Sequence, residues 1–103
     1  MPSYRLILNI GALRAGVRPE TLLPAAREAV AAHALVEHAE VGIRRGAAEL
    51  TVRFLADDPR AAHAVAEAAL PAVAALAEVP TWRITHRLGS RWPVVLRSER
   101  HGG

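Results

Sequence analysis

Residues 36–59, VEHAEVGIRRGAAELTVRFLADDP, decide the fold. From Val36 to Arg44 the chain alternates, with Val41 and Ile43 to one side and His38, Glu40 and Arg44 to the other. Ala48 to Leu55 alternates again, with Leu50, Val52 and Phe54 against Glu49, Thr51 and Arg53. A period of two over that length is the pattern of a half-buried strand. Arg45-Gly46 between the runs is a two-residue hairpin turn, because glycine accepts the positive φ such turns need. Asp57, Asp58 and Pro59 then start a helix: an aspartate cap followed by proline at the first helical position.

The flanks complete the pattern. Tyr4, Leu6, Leu8 and Ile10 face one way, and Arg5, Ile7 and Asn9 the other, in a first strand. Gly11, Gly16 and Pro19 mark a loop. Leu22, Leu23, Ala26, Val30 and Ala34 recur at helical spacing, which predicts a helix from Pro19 or Thr21 to Leu35. Pro24 is tolerated there because it lies in the first turn. Val65, Ala66, Ala69, Leu70, Val73 and Leu76 form the buried stripe of a second helix, which Pro71 is expected to kink or split. Val79 to Leu88 reads as a strand with Trp82, Ile84 and Leu88 inward. Gly89-Ser90 allows a turn into an edge strand, Arg91 to Leu96, where Pro93 is acceptable only because it is at an edge.

The order is β-α-β-β-α-β with a possible fifth edge strand. With right-handed crossovers it gives an α+β, ferredoxin-like sandwich: an antiparallel sheet with two helices on one face. Its first and third strands are central. Residues 1–88 form the domain, 89–97 a C-terminal edge-strand extension, and 98–103 a flexible tail.

At 103 residues the chain is one domain. All thirteen cationic side chains are arginine, and the formal net charge is +3. Residues 1–81 hold eight arginines and nine acids, so the positive excess lies in the last stretch. No cysteine is present, which removes disulfide and thiolate chemistry. No apolar run approaches the roughly 18–20 residues of a membrane span, and no signal peptide is read at the start. The expected address is cytoplasmic.

The alternation puts Arg5, Asn9, Arg44, Arg53, Arg83 and Arg87 on the face away from the helices. Arginine forks match carboxylate and phosphate oxygens, so this face is the candidate site for an anionic small molecule or an acidic protein partner. Ordinary solvation is the competing reading, with Arg53 and Arg44 paired to Glu49 and Glu40 across strands. Leu6 to Gly11 and Arg45 to Leu50 resemble the two motifs of the RNA-recognition family, yet Ile7, Ala47 and Glu49 stand where stacking aromatics belong. Nucleic acid is therefore not the expected partner.

Pro2 opens an alternating strand, and Val41-Gly42-Ile43-Arg44 closes a helix-to-strand stretch. These features resemble the tautomerase superfamily, in its carboxymethyl-hydroxymuconate isomerase-like branch. The resemblance implies Pro2 as general base after loss of Met1, with Arg44 or Arg5 holding a substrate carboxylate. An N-terminal-proline isomerase of 2-oxo or enol acids is thus the alternative to a non-catalytic binding or accessory module.

His33, His38, His63, His86 and His101 lack metal-ligand spacing, so no metal or cofactor is expected. His33 and His63 lie on or beside helix stripes and read as partly buried. Trp82 reads as core. Trp92, with Val94 and Leu96, reads as an interface through which a homo-oligomer forms. No phosphate loop or nucleophile elbow occurs.

Overall fold

A computed structural model describes residues 1–98. The strands are β1 (Ser3–Asn9), β2 (Val36–Arg44), β3 (Ala47–Leu55), β4 (Thr81–His86) and β5 (Val94–Arg97). The helices are α1 (Leu22–Ala31), led by a 3-10 turn over Pro19–Thr21, and α2 (Pro59–Ala74). All five strands form one antiparallel sheet in the order β2-β3-β1-β4-β5. The chain is therefore α+β, and β1 lies between β3 and β4.

One side of the sheet carries the core. Tyr4, Leu6, Leu8, Leu50, Val52, Phe54 and Ile84 meet Leu22, Ala26 and Val30 of α1 and Ala62, Val65, Ala66, Ala69 and Val73 of α2. Alanine at so many helix positions lets α2 lie close to the strands and narrows the layer it makes. Asp58 caps α2 by accepting a hydrogen bond from the Ala61 amide at 2.8 Å, and Pro59 follows at the first position. Arg45 (φ 52) and Gly46 (φ 80) make the left-handed turn between β2 and β3.

Several expectations are corrected. The first helix stops at Ala31, not Leu35, and Leu35 is exposed. Pro71 does not split α2, which runs unbroken to Ala74. Pro71 and Glu67 are both exposed, so the carbonyl deprived of its amide partner can bind water instead. Val41 and Ile43 pair with Leu50 and Ala48 and so lie on the helix side, as the alternation requires. Yet they are 57% and 74% exposed, because the narrow helices do not cover the outer strand. β4 is shorter than expected, and Leu88 beyond it is exposed. β5 begins at Val94 rather than Arg91 and ends at Arg97. His33 is exposed rather than partly buried.

Ser98, the first residue of the expected flexible tail, is hydrogen-bonded to β4. The Trp82 amide donates to Ser98 Oγ at 2.9 Å, and the Ser98 amide donates to the Trp82 carbonyl at 2.8 Å. The rest of that tail, with His101, lies outside the described residues. No helix among the described residues is long and apolar enough to cross a membrane.

Candidate functional site

The face opposite the helices is built by the out-pointing residues of all five strands. Arg5 stands directly across from Arg53 on β3 and Thr85 on β4. Ile7 stands across from Thr51 and Arg83, and Asn9 across from Glu49 and Thr81. Ile7 is only 6% exposed although it points away from the helices. Long arginine stems beside an apolar residue can cover it while their charged ends stay in water. That covered centre divides the six predicted ligand residues into two groups.

The first group is Arg5, Arg53 and Arg87. The Arg5 guanidinium lies over Trp92, 3.8 Å from the ring centre, so the segment leading into β5 folds back across the sheet. Arg5 has its pKa lowered, chiefly by loss of water; the charges of Arg53 and Arg87 push the same way, and Glu40 opposes them. Arg53 Nε is 3.5 Å from Glu37 Oε1, an ion pair without a hydrogen bond. Arg87 Nε donates to the Gly89 carbonyl at 3.2 Å. Thr85 is buried with its hydroxyl unpartnered.

The second group is Asn9, Arg44 and Arg83, at the other end of β1. They line a groove of about 820 Å³ between the β2–β3 turn and β5. Arg45, Ala47, Thr81, Trp82, Val94, Arg97 and Ser98 complete its wall. Asn9 Nδ2 donates to Thr81 Oγ1 at 2.6 Å, which leaves the threonine's own hydrogen free to donate onward. Glu49 sits beside the groove, 3.5 Å from Arg83 and 3.8 Å from Arg44. The cross-strand pairs thus differ from those expected: Arg44 takes Glu49, and Arg53 takes Glu37.

Arg45 and Arg97 were not singled out in the sequence. Arg97 is across from Arg83 and therefore shares its face, but that face follows only once the register of β5 is known. Arg45 belongs to the β2–β3 turn, and its side chain matters because the turn borders the groove. Pro2 is exposed, precedes β1 and passes its carbonyl to the Ala56 amide at 3.1 Å. It lies at the Ser3 end of the sheet and does not line the groove. Of the expected interface residues, Trp92 is held by Arg5, Leu96 packs on the domain's own core, and Val94 is 38% exposed.

No family model matches the chain, and neither the curated proteins nor the solved structures searched contain a match.

Proposed function

We propose that this chain is a ferredoxin-like plait that binds a small anionic molecule, a carboxylate or a phosphate compound, in the groove between the β2–β3 turn and β5. The strand order β2-β3-β1-β4, with both helices packed on one side, supports the plait. One observation carries the function: Arg44, Arg45, Arg83 and Arg97 surround one groove with the donors Asn9 and Thr81. Guanidinium groups keep their charge at any physiological pH and offer paired N–H donors to oxyanions. Among the described residues the groove wall offers donors and no histidine or carboxylate to move a proton, which favours binding over turnover. Glu49 adjoins it but is already held by two arginines.

The tautomerase alternative would not use this groove, since Pro2 lies at the opposite end of β1, the end that holds Arg5. Calorimetric titration with citrate and with inorganic pyrophosphate at low salt tests the proposal. Saturable binding is expected, weakened at least about tenfold by Arg83→Ala or Arg97→Ala, the loss of one charged hydrogen-bonding partner. Arg87→Ala, at the far end of the face, should leave it unchanged. Failure of both anions to bind, or equal losses in all three variants, would reject the groove as the site.

A further inference from the structure

We infer that β2 is a dimerisation edge, joining two copies of this chain antiparallel about a two-fold axis through Gly42. The surface adjoins the anion groove and shares Arg44 with its wall, and four features of β2 converge on it.

β2 is the outermost strand on its side of the sheet, nine residues long and in regular register from His38 to Arg44, with no strand beyond it among the described residues. An edge of that length presents a row of amides and carbonyls ready to pair. Which residues present them follows from the turn. Arg44 and Ala47 close a two-residue turn and form a hydrogen-bonded pair, so Ile43 and Ala48 form the next, non-bonded pair. The Ala48 carbonyl accordingly points the other way, accepting from the Ile10 amide at 2.9 Å. Ile43, and Val41 by the same alternation, therefore turn their backbone groups outward.

The apolar side chains of those two residues, Val41 and Ile43, are also among the most exposed in the domain. Between them stands Gly42, an unfavourable residue for a strand interior. Its φ is not positive, and a Cβ built on it meets nothing within 4 Å, so nothing within the domain calls for glycine. Close approach of another backbone would.

Charge then selects the register. Two copies of β2 keep their faces matched only if paired residue numbers sum to an even value. A centre on Glu40 sets two carboxylates against each other, and a centre on Val41 sets His38 against Arg44. A centre on Gly42 sets Glu40 against Arg44 of the second copy, twice, and Val41 against Ile43, twice. In that register Val41 and Ile43 exchange their outward hydrogen bonds, and the two glycines meet as the close, non-bonded pair. The contact is isologous, so it closes as a dimer and does not propagate. Its modest size predicts a weak association, measurable at roughly 10 µM to 1 mM protein.

Sedimentation of the full chain over that range is the test. A monomer–dimer equilibrium is expected for the parent protein. Glu40→Arg and Arg44→Glu, each alone, should weaken it at least about tenfold by placing like charges opposite one another. The double variant Glu40→Arg/Arg44→Glu should restore it. Gly42→Cys supplies a reading of the axis itself. A non-bonded pair has its Cα atoms about 4.5 Å apart, within the disulfide range of about 4.4–6.8 Å. The chain has no other cysteine, so mild oxidation should give a covalent dimer, whereas His38→Cys on the same face should not. A protein that stays monomeric throughout the range, a dimer indifferent to the charge swap, or equal crosslinking at positions 38 and 42 overturns the inference.

Discussion

The guanidinium of Arg5 rests on the ring of Trp92, 3.8 Å from its centre, and so ties the middle strand of the sheet to the segment that leads into its last strand. Arg5 is also opposite Arg53, a like charge, so the aromatic face is the favourable neighbour that holds its position. A double-mutant cycle with Arg5→Ala and Trp92→Ala, followed by urea denaturation, should give a coupling energy of about 0.5–1 kcal/mol, as for partly exposed cation–π pairs. Additive losses would show that the contact contributes nothing.

Glu49 competes with any anion for Arg44 and Arg83. Glu49→Gln should therefore tighten anion binding roughly two- to fivefold, since a partly exposed ion pair is worth up to about 1 kcal/mol. The calorimetric titrations measure this directly. Weaker binding in the variant would mean that Glu49 organises the arginines for the ligand.

Tyr4 is fully buried between Phe54 and His86, with ring centres 6.2 and 4.5 Å away, and its hydroxyl has no partner. Loss of water, with the nearby Asp58 charge adding, raises its pKa above the ordinary 10.0. The folded protein therefore holds this proton more tightly than the unfolded chain. The associated stability is complete below pH 10.0 and is lost as pH climbs from there through the raised native value. Tyr4→Phe should abolish that alkaline loss. At pH 7 it should be neutral or stabilising, because an unsatisfied buried hydroxyl is removed. Denaturation midpoints at pH 7 and above pH 10 check both statements; a marked loss at pH 7 would reveal a partner for the hydroxyl.

Asp58 holds the first turn of α2. Asp58→Ala should cost about 1 kcal/mol, which for a domain of this size lowers the Tm by about 4–8 °C. Asp58→Asn should recover most of it. Thermal unfolding followed by circular dichroism decides.

Pro71 leaves the Glu67 carbonyl without its helical partner on the exposed side of α2. Pro71→Ala should restore that bond and relieve the ring's contact with the previous turn. Even after the gain in unfolded-chain entropy is subtracted, about 1–2 kcal/mol of added stability is expected. A destabilised variant would show that the helix is shaped around the proline.

Much of the architecture is legible in the sequence, because its signals are local. The β2–β3 turn at Arg45-Gly46 and the cap at Asp58-Pro59 depend on neighbours one to three residues apart. What could not be read depends on distant parts of the chain. Val41 and Ile43 alternate like core residues, but whether a helix covers them is decided by how far the helices reach across the sheet. Leu88 fails for a similar reason: the periodicity continues past the end of the layer that would bury it. At the candidate site, strand alternation placed Arg44 and Arg83 on the correct face. It could not separate them from Arg5 and Arg53, because the buried Ile7 between the groups breaks the pattern expected of an outward residue. Arg97 joined the groove only through the β4–β5 register.

The placement of the two tryptophans has a practical result. Trp82 stacks near His63 on the helix side, ring centres 6.0 Å apart, while Trp92 lies on Arg5 across the sheet. With no third indole in the chain, each layer carries one fluorophore. Single-tryptophan variants would let emission report loosening of the helical layer and release of the β5 segment as separate events, in one protein and without a label.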